Sequence, residues 1–134
     1  MTAPLVGTLV LDCQGLSKLV GDDREVTALV RRARDHGARV VTSAMTAVEA
    51  RNPTVKQPRF DWVLSRIEIE PVTEDTAREA SALLAAAGLH GHKYAIDAVL
   101  TATALQQPGP VVVLTSDPED LRTLSDRRVR TVKV

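Results

Sequence analysis

Two aspartates close apolar runs. Asp12 follows Thr8-Leu9-Val10-Leu11, and Asp117 follows Val111-Val112-Val113-Leu114-Thr115-Ser116. Two further acids stand where a surface charge is not expected. Asp97 lies close to the line of Leu100, Thr101 and Ala104 on a helical pattern, and Glu49 is the only charge in Ala44-Met45-Thr46-Ala47-Val48-Glu49-Ala50. A carboxylate on an inward face is costly unless it is paired or metal-bound. No pattern of Lys or Arg nearby neutralises all four. A hard divalent cation would, and Mg²⁺ or Mn²⁺ suits carboxylate and water oxygens.

The elements that must carry these acids alternate in type. Five short apolar runs predict strands over Thr8–Cys13, Ala38–Ser43, Ile67–Val72, Val111–Ser116 and Val129–Val134. The first, second and fourth are nearly continuous in Val and Leu, as strands buried on both faces should be. The third and fifth mix in charge and read as edges. Between them, Asp22 and Glu25 predict a capped helix start, with Val26, Leu29, Val30 and Ala33 on one face and Gly37 at the end. Thr73 predicts the cap of a helix closed by Gly88, Tyr94–Gln106 a third helix, and Asp117-Pro118 the opening of a fourth. Asn52–Arg59, with Pro53 and Pro58, predicts a surface loop. Strands alternating with helices imply an α/β fold with a mainly parallel sheet covered on both sides. In such sheets ligands bind outside the carboxyl ends of the strands, where Asp12 and Asp117 would meet if the first and fourth strands are neighbours.

Composition narrows the alternatives. At 134 residues and 44% hydrophobic content the chain is expected to be one domain, 1–134, with its own core. No apolar run approaches the roughly 18 residues that cross a bilayer, and Met1–Gly7 lacks the cationic start of a signal peptide. Cys13 is the only cysteine, which excludes an internal disulfide and fits a reducing cytoplasm. Basic and acidic residues number 17 each, so binding to a nucleic acid must draw on local patches and metal. Phe60, Trp62 and Tyr94 are the only aromatics besides histidine, too few to stack a single strand base by base.

Four segments resemble a known family. Leu9-Val10-Leu11-Asp12, Thr46-Ala47-Val48-Glu49-Ala50-Arg51, Ile96-Asp97-Ala98-Val99-Leu100-Thr101 and Leu114-Thr115-Ser116-Asp117-Pro118-Glu119-Asp120-Leu121 look like the four acidic motifs of the PIN domain. Their order and the chain length are similar to the VapC-type toxins of toxin–antitoxin pairs. The resemblance implies a three-layer α/β/α fold with sheet order 3-2-1-4-5, a Mg²⁺ or Mn²⁺ site and endoribonuclease activity. It also implies a homodimer and an antitoxin partner. After its first acid the family usually carries a small hydroxyl residue, whereas Cys13 and Gln14 follow Asp12 here.

Under that resemblance Asp12 and Asp97 are expected to ligate the metal directly. Glu49 and Asp117 would complete the cage or hold a water, with Asp120 and Ser116 orienting ligands from behind. Arg51, His92 and Lys93 are candidates for phosphate contacts. Blander roles stand beside these. Asp117 before Pro118 also suits a helix N-cap, and one oxygen can cap while the other faces a metal. Glu49 alone is an ordinary helix glutamate. His90-Gly91-His92-Lys93 reads as loop, and Arg31, Arg32 and Arg34 as a solvated helix face. Phe60 and Trp62 suggest core or dimer interface, and Cys13 a buried small residue. The alternative function is a catalytically silent PIN-like module that binds RNA or protein. An aspartyl-nucleophile phosphohydrolase would want a second acid two residues after Asp12, where Gln14 stands. A dinucleotide site would want a glycine-rich turn after the first strand.

Overall fold

The computed structural model describes residues 7–134, so the expectation about Met1–Gly7 lies outside it for all but Gly7. Five strands, β1 (Thr8–Leu11), β2 (Arg39–Ser43), β3 (Glu68–Glu70), β4 (Val111–Thr115) and β5 (Arg130–Lys133), form one sheet in the order 3-2-1-4-5. Every pairing is parallel. The short charged strands β3 and β5 are the edges, as their composition predicts.

Seven helices cover the sheet: α1 (Cys13–Val20), α2 (Arg24–Asp35), α3 (Ala44–Glu49), α4 (Gln57–Ser65), α5 (Glu74–Ala87), α6 (Gly91–Leu105) and α7 (Pro118–Ser125). Alternation along the central strands sorts two cores. Leu9, Leu11, Val112 and Leu114 pack with α1, α2 and α4, while Val10 and Val113 pack with Leu100 and Ala104 of α6 and Leu121 of α7. Beyond α6, α5 adds Ala80 and Leu83 against Ala98, Ala102 and Leu124. The result is three layers.

Four local expectations are corrected. The first strand stops at Leu11, because Asp12 turns the chain into α1, a helix whose Leu16, Leu19 and Val20 recur at helical spacing. Gly15 obscured that period. The second half of Asn52–Arg59 is not loop: α4 starts at Gln57, with Pro58 in the first turn, where no backbone N–H is required. The cap of α2 is Asp23, whose Oδ2 accepts from Val26 N at 2.9 Å, whereas Asp22 takes a left-handed turn with φ 60. The third strand is three residues long rather than six. By contrast, Thr73 caps α5 through Thr76 N, and Gly88 closes it in the left-handed conformation.

Thr42 braces the end of β1 from the neighbouring strand. The β1–β2 register places Val10 opposite Val41, and just beyond it the fully buried Thr42 hydroxyl donates to Leu11 O at 2.7 Å. That bond fixes the carbonyl immediately before Asp12. Replacing Thr42 by Val keeps the shape but removes this bond. The expected outcome is a loss of about 0.5–1.5 kcal/mol in urea unfolding with an unchanged slope.

Candidate metal centre

Pairing of Leu11 with Leu114 brings the ends of β1 and β4 side by side. Asp12 N donates to Leu114 O at 3.0 Å, locking the backbone across the two strands. Both Asp12 carboxylate oxygens are then held by amides: Oδ1 accepts from Gly15 N at 2.8 Å and Oδ2 from Ser116 N at 3.2 Å. Asp12 is thus the N-cap of α1 and is 8% exposed. Each oxygen keeps a further lone pair. Gly15 sits tight in this turn, since a Cβ there would stand 3.0 Å from Leu114 O.

Asp97 enters from α6, which packs on α3 and β2. Its half-buried carboxyl faces four others. Burial raises its pKa first, and the charges of Asp120, Glu49, Asp12 and Asp117 add to that, bringing it to about 6. All four acids singled out in the sequence therefore crowd one cleft at the carboxyl edge of the sheet, with Asp120 as a fifth member. Among the described residues none of the five forms an ion pair.

Glu49, the last residue of α3, is exposed, so its apolar sequence neighbours do not mark an inward face. It reaches the cleft from the rim and lies within electrostatic reach of Cys13. Burial and then the Glu49 charge push the Cys13 thiol up to about 11, where it stays protonated. Asp117 is also exposed and, although it precedes Pro118, its side chain makes no capping bond to α7. Its backbone N–H instead donates to Thr115 Oγ1 at 2.9 Å. The carboxyl lies close to that of Asp120, one turn on. Burial and the proximity and charge of Asp117 raise the Asp120 pKa, with Lys93 opposing.

The remaining expected residues divide. Lys93 lies within electrostatic reach of Asp120, its Nζ 5.2 Å from the Tyr94 ring centre. Ser116 contributes its backbone amide, while Arg51 stands over the Phe60 ring at 5.3 Å and His92 is exposed on the first turn of α6. Sequence reasoning missed Cys13 as a partner of Glu49, the Gly15 amide, and Thr115 as a local acceptor. A polar residue closing a buried strand, as Thr115 does, was the one available signal.

The donor set fits a hard divalent ion. Its oxygens carry excess negative charge with no guanidinium among them, and the buried Thr46 hydroxyl, one turn before Glu49, has no protein partner. Yet among the described residues no three acidic, His or Cys side chains already converge on a point that would hold an ion.

A parallel 3-2-1-4-5 sheet with acids gathered at its carboxyl edge defines a three-layer α/β/α protein with a carboxylate cleft. The PIN-domain family profile matches residues 9–125, and the chain belongs to the PIN-domain family. That family comprises nucleases that generally use divalent metal ions. Among solved structures, the crystal structure of VapBC2 from Rickettsia felis, bound to a DNA fragment from their promoter, is similar with a TM-score of 0.69. The match has 12% identity and covers 95% of this chain and 98% of that one, a likeness of fold. No curated protein matches the chain by sequence.

Crowding sets a pH dependence. Asp97 keeps its proton to about pH 6 when folded and to about pH 4 when unfolded. Between those values the folded protein binds more protons, so stability falls as pH rises through the window. In EDTA, Asp97→Asn is expected to raise Tm at pH 7–8 and to flatten this decline. A lowered Tm at pH 8 would show that Asp97 is not held under repulsion.

Proposed function

We propose that the chain is a metal-dependent endoribonuclease, one domain over residues 1–134, and the toxin of a toxin–antitoxin pair. The observation that carries this reading is Asp97, half-buried and facing Asp12, Glu49, Asp117 and Asp120 without a balancing cation. The family supports nuclease chemistry, and the VapBC2 neighbour supports a partnered antitoxin. A homodimer and a cytoplasmic location belong to the same reading. Among the described residues no helix is long and apolar enough to cross a membrane.

In this mechanism Asp12 and Asp97 would hold the metal directly. Asp12 would be the fixed ligand, since two backbone amides already orient it. Glu49 and Asp117 would complete the ligand set or hold a water beside it, and Asp120 would steady Asp117. Bound Mg²⁺ or Mn²⁺ supplies positive charge to the scissile phosphate and lowers the pKa of water. Lys93, on the Asp120 side, steers the phosphate, with Arg51 and His92 as outer contacts. The cleft's raised carboxyl pKa values fall back towards ordinary when the ion binds.

The silent-module reading is favoured by one observation, the lack of a ready-made three-ligand grip. The assay that separates them is cleavage of defined RNAs by purified protein with Mn²⁺ or Mg²⁺, then with EDTA. Wild type is expected to cut only with metal. Asp12→Asn and Asp97→Asn should each lose more than about 100-fold while circular dichroism stays native. Metal at 100 times its Kd should stabilise wild type by about 2.7 kcal/mol and Asp97→Asn by much less. Full cleavage by folded Asp97→Asn would end the proposal.

A further inference from the structure

At the far end of α1 from Asp12 lies a cavity of about 390 Å³ between α2 and α4. With eight residues, α1 separates the two places by about 12 Å. Arginines dominate its walls: Arg31 and Arg34 from α2, Arg59 from α4 and Arg66 just past it. Asp22 and Asp35 also line it, but the single ion pair there is Arg59 with Asp22 at 4.0 Å. Among the described residues Arg31, Arg34 and Arg66 have no acidic partner.

Their placement is fixed rather than loose. Arg59 donates to Leu19 O and Val20 O at 3.2 and 3.0 Å, and Arg34 donates to the Arg66 carbonyl. Trp62, 54% exposed, carries the Arg59 and Arg66 guanidiniums over its ring at 5.3 and 5.5 Å. Stacking of this kind holds a guanidinium plane while leaving its edge donors free for a phosphate fork. Burial and the nearby Arg66 charge hold the Arg34 pKa below its usual range, the mark of cations without an anion between them. Thr27 adds a buried hydroxyl with no partner on the same wall.

We propose that this cavity binds backbone phosphate of a single-stranded RNA, Arg31, Arg34 and Arg66 gripping the phosphate and Trp62 bracing the Arg66 guanidinium, so that the strand is anchored one helix-length from the carboxylate cleft. The inference rests on the nuclease reading for its choice of RNA. It supplies what that reading lacks. A cleft of five carboxylates repels a phosphodiester, and a chain of zero net charge offers no general attraction, so the strand must gain its affinity on a local basic patch.

Trp62 is the only tryptophan, so its fluorescence reports on this cavity alone. A short single-stranded RNA is titrated in EDTA, where binding is read without cleavage, at several salt concentrations. Wild type is expected to show a saturable fluorescence change. Arg34→Gln/Arg66→Gln should bind about tenfold more weakly or worse and lose up to about 0.7 from the log–log salt slope, the share of one phosphate contact. If the double variant does not fold, Arg31→Gln alone should weaken binding and lower the slope in the same sense. Unchanged affinity and slope overturn the proposal, as does a Trp62 response to poly-glutamate but not RNA, which would mark a protein-docking site. RNA binding at Trp62 without metal-dependent cleavage would sink the nuclease reading and leave this one standing. Cleavage with binding indifferent to the arginines would do the reverse.

Discussion

Like charge concentrated at one edge of a parallel sheet is the condition around which this protein is arranged. Carboxylates near one another repel more strongly where water is thinned, and that cost falls unevenly here. Asp12 is held by two backbone amides, while Glu49 and Asp117 are exposed. Asp97 carries the burden, since it is the one member both half-buried and faced by all the others.

What makes the cleft stiff lies beneath it. β1 and β4 are buried on both faces, in register from Thr8 with Val111 to Leu11 with Leu114, and hand their last residues directly to the site. Thr42 ties down Leu11 from one side and Ser116 N ties down Asp12 from the other. Helix α1 starts on Asp12 itself, so one carboxylate both caps a helix and lines the cleft. The capping role weighed for Asp117 falls instead to Asp12, where the chain turns at once into a helix.

Much of the fold was legible because its signals are local. Uninterrupted Val and Leu runs marked the buried strands, charge marked the edges, and Thr73, Gly88 and Pro118 marked helix boundaries. The family resemblance supplied the strand order that periodicity cannot. The acids' types and positions were legible, but their states were not. Glu49 read as inward and is exposed, because a helix of six residues shows too few turns to define a face. Helix α1 was hidden by Gly15, whose lack of a side chain is what allows the turn to press against Leu114 O. Partnerships such as Cys13 with Glu49, and the gathering of distant arginines around Trp62, depend on chain separations that no spacing rule spans.

The even balance of 17 basic and 17 acidic residues conceals two opposed local excesses. Carboxylates gather at the N-cap of α1 and guanidiniums beyond its last turn. An anion approaching this surface meets attraction and repulsion about 12 Å apart, beyond the roughly 8 Å screening length at physiological salt, so each pole acts locally. Bulk net charge is therefore a poor guide to how an anion meets this surface. A cation held by the carboxylates would neutralise the repulsive pole alone and leave the basic one intact. Metal and anion would then bind with positive coupling, without any change in backbone.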